Sequence, residues 1–72
     1  MASRDWETTV KNLIKGELKH RGMTYAQLAE RLQAIGVDEH EGTIKKKLSR
    51  GRFTAVFFVQ CLTAIGSDRL RL

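Results

Sequence analysis

The sequence predicts an all-α fold, a compact bundle of four or five short helices, and three observations carry that prediction. The 72 residues contain no proline, so no helix interior loses a backbone donor. Apolar residues recur at spacings of three and four, the helical period. Gly22, Gly36, Gly51 and Gly66 each close one periodic stretch, as expected of residues that end helices in a left-handed conformation.

The first helix is expected from Asp5 to His20, with Trp6, Val10, Leu13, Ile14 and Leu18 on one apolar stripe. Ser3 or Asp5 can cap it, and Glu7 suits the positive end of its dipole. Trp6 reads as its core anchor. The second helix starts at a Thr24-x-x-Gln27 capping box, with Met23 and Leu28 placed as a hydrophobic staple. Leu28, Ala29, Leu32 and Ile35 are expected to face inward. Tyr25 is expected to bury its ring and leave its hydroxyl at the surface.

The third helix is expected over about residues 39–49, capped by Asp38 with Glu41 three residues later. Ile44 and Leu48 form a narrow apolar edge one turn apart. On a helical wheel Lys46 lies opposite that edge, flanked by Gly42 and Arg50, with Thr43 on the shoulder. His40 falls partly toward the core. The fourth helix starts at Thr54, where Phe53 can staple to Phe58. From Ala55 to Ile65 it is apolar nearly all round, as befits a helix central to the core or covered by a partner. Together the helices make one domain over residues 1–72, with a core at about 5–66 and a loosely held charged tail at 67–72.

Several function classes are disfavoured. A chain this short buries only about 60% of its unfolded surface, which leaves no deep catalytic cleft. The one cysteine, Cys61, excludes an internal disulfide and reads as a buried core residue. No His or acid is spaced with it for nucleophilic catalysis. His20 and His40 are far apart, and His40-Glu41 lacks the second His of a zinc-protease motif. The expectation is no enzyme activity, no metal, no cofactor and no small-molecule ligand. No apolar run approaches the ~18 residues of a membrane span, and the N-terminus lacks a signal peptide's apolar core. The reading is a cytoplasmic protein without a membrane partner.

Charge is the positive signal. Residues 1–41 carry six Lys/Arg against seven Asp/Glu, whereas residues 42–54 carry five Lys/Arg and no acid. The surplus of a +5 chain is thus concentrated on one helix and the turn after it, which points to an anionic partner.

Two short helices in close succession suggest a helix-turn-helix module. The run Leu18-Lys19-His20-Arg21-Gly22-Met23-Thr24-Tyr25-Ala26-Gln27-Leu28-Ala29-Glu30-Arg31-Leu32, with Thr43-Ile44, Leu48-Ser49-Arg50-Gly51, Thr54 and Leu62-Thr63-Ala64-Ile65-Gly66, resembles the Cro/phage-repressor type of DNA-binding domain. The resemblance covers roughly residues 13–66. It implies that Ala29 packs where the motif helices cross and that the third helix enters the major groove. The turn between them is lengthened: Gln33 stands where the family usually has glycine, and Gly36 follows three residues later. The run from Lys47 to Gly66 also resembles a family of small bacterial proteins known only as a domain of unknown function.

The expected partner is double-stranded DNA. Thr43, Lys46 and Arg50 are the candidates facing bases. Lys15, Gln27, Arg31, Lys45, Lys47, Arg52 and Thr54 are the candidates for phosphate. The apolar fourth helix could join two copies in a homodimer. The alternative reading is a protein-interaction module on a degenerate helix-turn-helix scaffold. RNA binding ranks below both, because exposed aromatic residues at stacking spacing are lacking.

Overall fold

Signals at the helix ends divide the chain into four helices: α1 (Trp6–His20), α2 (Tyr25–Ala34), α3 (Glu41–Arg50) and α4 (Ala55–Ala64). The computed structural model describes residues 5–67. Ser3 as an alternative cap, and nearly all of the expected tail, lie outside the described residues.

Three helices start on side-chain caps. The Asp5 carboxylate accepts from the Thr8 hydroxyl at 2.7 Å and the Thr8 N–H at 3.2 Å. These two bonds hold its carboxyl below the ordinary value. At α2 the Thr24 hydroxyl accepts from the Gln27 N–H at 3.1 Å, and the Gln27 amide oxygen accepts from the Thr24 N–H at 2.8 Å. The expected capping box is therefore complete. At α4 the Thr54 hydroxyl accepts from the Phe57 N–H at 3.1 Å, and the Phe53 ring stacks on Phe58 with centroids 6.2 Å apart.

The start of α3 differs from the expectation. Its cap is His40 rather than Asp38, with extended backbone and no side-chain cap bond. Two anchors keep the preceding chain extended. The Val37 N–H donates to the Leu32 carbonyl at 2.8 Å, and Val37 packs against the core. The Glu39 carboxylate is drawn to Lys47 instead of joining a helical first turn. His40 itself is exposed, not turned toward the core.

Glycine ends every helix, in two ways. At α1, α2 and α4 the residue after the glycine donates back five positions: Met23 to Leu18, Val37 to Leu32 and Ser67 to Leu62, at 2.8–2.9 Å. These are Schellman endings. At α3 Gly51 alone closes the helix, donating to the Lys47 carbonyl at 3.0 Å with φ 69°. Gly51 is also buried, and a Cβ there would be driven into the Glu7 backbone carbonyl. No side chain larger than glycine's fits where α1 begins against the α3–α4 corner.

The core draws on all four helices: Ile14, Leu18, Leu28, Leu32, Ile44, Leu48, Phe57, Cys61, Ala64 and, just past α4, Ile65. Both α1 and α2 pack against α3 and α4. Lys11 reaches the Ser49 carbonyl at 3.5 Å, while Lys15 and Leu18 share a depression with Glu41. The start of α1 therefore meets the end of α3, and the two helices run antiparallel. Arg21 donates to the Ile65 carbonyl at 2.8 Å, joining the C-terminal ends of α1 and α4.

Two residues expected in the core are exposed instead. Trp6 is 65% exposed and Ile35 is 45% exposed. With Ile14 at 0° on the α1 wheel, Leu18 falls near about 40° and Trp6 near about −80°. Trp6 thus sits at the margin of the stripe. Ile35 is the residue that caps α2, so helical spacing no longer governs where it points.

Candidate functional site

The outward face of α3 is built from its buried edge. Ile44 and Leu48 are both fully buried, which fixes the helix about its own axis. Gly42, Thr43, Lys45, Lys46 and Arg50 are consequently exposed. Lys45, Lys46 and Arg50 make no side-chain hydrogen bond or ion pair among the described residues. They present three unneutralised cations beside the Thr43 hydroxyl.

Two other cations of the basic stretch are already engaged. Lys47 is half-buried, donates to a Glu39 carboxylate oxygen at 2.6 Å, and lies 4.6 Å from the centre of the Phe57 ring. Arg52 is exposed, and its Nε donates to the Glu7 carboxylate. The sequence count of five cations on this element overstates its free charge. Those partners lie 8 and 45 residues away and outside α3, so spacing along that helix does not connect them.

The phosphate candidates divide by position. Lys15 is half-buried in a depression of about 420 Å³ that also holds Lys19, Met23, Thr24, Tyr25 and Glu41. Lys15 and the start of α2 therefore adjoin the start of α3. Lys19, in the last turn of α1, lies in the same depression. Gln27 commits its amide oxygen to the Thr24 N–H, leaving its NH₂ group for other contacts. Thr54 commits its hydroxyl as the α4 cap. Arg31 stands apart from α3, grouped with Ala34, Ile35 and Ala64 near the end of α4.

On α4, Phe57, Cys61 and Ala64 face the core, while Val56 is 66% and Val59 58% exposed. With Ala55 and Gln60 they line an almost wholly apolar shallow surface. Burial drives the Cys61 thiol up to about 12, the nearby Glu39 charge adds to the rise, and Lys47 opposes it. The thiol is therefore a neutral core group at physiological pH. Among the described residues there is no cluster of three side chains able to hold a metal, and no helix is long and apolar enough to cross a membrane.

A family model described as a domain of unknown function, DUF6471, matches residues 6–70. The chain belongs to the DUF6471 family. No curated protein and no solved structure matches it. In this DUF6471 domain the family match spans all four helices, so the cationic face of α3 and the apolar face of α4 belong to one family unit.

Proposed function

We propose that this DUF6471 domain binds double-stranded DNA as a cytoplasmic transcriptional regulator, with the outer face of α3 in the major groove. The observation that carries the reading is the face itself. Lys45, Lys46 and Arg50 project without partners among the described residues from a helix whose opposite edge is fully buried. Thr43, Lys46 and Arg50 would meet base edges, where hydroxyl and guanidinium groups can read hydrogen-bonding patterns. Lys45 would meet phosphate, as would Lys15 beside the start of α2. The resemblance to Cro/phage-repressor domains is in keeping with this placement. The exposed Val56 and Val59 support the accompanying proposal that two copies join through α4.

The test is a salt titration of duplex affinity. Each phosphate contact should contribute about 0.9 to the slope of log affinity against log salt. Lys45→Ala should lower that slope by about one contact, and Lys46→Ala and Arg50→Ala should weaken binding at every salt concentration. Absence of duplex binding at low salt would sink the reading.

The second reading is a protein-interaction module, favoured by the apolar surface around Val56 and Val59. Under that reading, chemical-shift changes on adding a partner protein would centre on Val56–Leu62. Adding DNA would leave Lys45–Arg52 undisturbed.

A further inference from the structure

Lys47 points away from the face formed by the other cations of α3. Its ammonium bridges three elements: Glu39 of the α2–α3 connection at 2.6 Å, α3 itself, and the Phe57 ring of α4 at 4.6 Å. The Glu39 side chain is only 19% exposed. Residues 35–40 form that connection, and Glu39 supplies its only side-chain hydrogen bond to α3 among the described residues. His40, next to Glu39 at the start of α3, contributes no cap bond.

We infer that Glu39 is a positioning residue: its pair with Lys47, seated over Phe57, fixes the long connection and so sets the direction in which α3 presents Thr43, Lys46 and Arg50. The inference rests on the DNA reading for what α3 is aimed at. Lys47 then acts on DNA through the placement of α3 and not as a phosphate ligand. The chemistry favours a fixed pair. A largely desolvated carboxylate is costly to leave unpaired, and the ring face favours a cation at this distance. The buried Cys61 lies one turn beyond Phe57, close enough to sense both charges. Its accessibility is therefore a local report on whether the joint is closed.

The experiment uses two variants of opposite charge effect. Glu39→Gln adds one net positive charge, and Lys47→Met removes one while keeping an apolar stem over Phe57. Two quantities are measured in each: duplex affinity at fixed salt, and the rate of Cys61 alkylation by a maleimide in native buffer. Circular dichroism confirms that helix content is retained. The inference expects the same direction from both variants. Alkylation should be at least about threefold faster and duplex affinity at least about threefold weaker, the scale of a partly exposed pair. Lys47→Arg, which keeps the cation, should stay close to the parent protein in both.

If Glu39→Gln tightens binding while Lys47→Met weakens it, simple charge explains both and the inference is overturned. Unchanged alkylation in both variants overturns it equally. If the unmodified protein binds no duplex, the DNA reading fails, and the alkylation rates alone decide whether the pair holds α3.

Discussion

Helices α3 and α4 are each ten residues long and face the same core, yet they resist solvent in opposite ways. α3 buries two side chains, Ile44 and Leu48, and turns cations outward. Its start lacks a side-chain cap. α4 carries no charged residue, starts on a side-chain cap and leaves valines in solvent beyond what the core uses. The contrast separates two jobs. A helix held by a narrow edge keeps most of its surface available for recognition. A helix apolar on nearly every side turns only part of that surface to the core, and an apolar remainder is the kind of surface a partner covers.

The largest expected effects remove the buried edges. Phe57→Ala on α4 should cost about 3–5 kcal/mol and Leu48→Ala on α3 about 2–5 kcal/mol, read from urea unfolding midpoints. A Leu48→Ala loss below about 1 kcal/mol would break the comparison, because α3 would then be held by something other than its edge. Gly51→Ala tests the joint between the two helices. A left-handed alanine costs about 1–2 kcal/mol, and forcing its methyl against the Glu7 carbonyl should add about 1–3 kcal/mol. Gly36→Ala meets open space and should show only the first of these costs.

Substitutions on the outer faces should leave stability within about 0.5 kcal/mol and separate the helices by function. Val56→Ser with Val59→Ser should abolish any self-association seen by analytical ultracentrifugation and spare the proposed low-salt DNA contact by α3. Lys46→Ala should do the reverse. If both variants change the same property, the two faces form one surface.

The smallest effect concerns pH. The Thr8 bonds lower the folded pKa of Asp5 below its ordinary value of 3.8. The ionised cap therefore stabilises the fold above that value, and the benefit is lost as pH falls through the lowered folded value. Asp5→Ala should melt earlier than the parent protein at neutral pH, with the gap closing in acid. A gap that stays constant with pH would remove the carboxylate from the account.

Legibility in the sequence followed range. The caps at Thr24 and Thr54, the four glycine stops and the Ile44–Leu48 edge are relations across a few residues, and the structure contains all of them. Asp38 also satisfied a local rule, with Glu41 three residues on. It failed because Val37 and Glu39 are held by the core and by Lys47. Trp6 and Ile35 followed the helical period only loosely, Trp6 at the margin of its stripe and Ile35 at the cap of α2. At the candidate site the exposure of Thr43, Lys46 and Arg50 followed from the wheel. The engagement of Lys47 and Arg52 did not, since Glu39 and Glu7 reach them only after the chain has folded.

The seating of Glu7 against Gly51 has a kinetic consequence. The Glu7–Arg52 pair and the Arg21 bond to Ile65 join residues 45 and 44 positions apart. Contacts that close such long loops are rewarded late, after nearer ones have formed. Helices α2, α3 and α4 should therefore assemble in the folding transition state before α1 docks along them. Substitution of Arg21 should then accelerate unfolding and leave the folding rate nearly unchanged, a pattern that stopped-flow chevron arms would resolve.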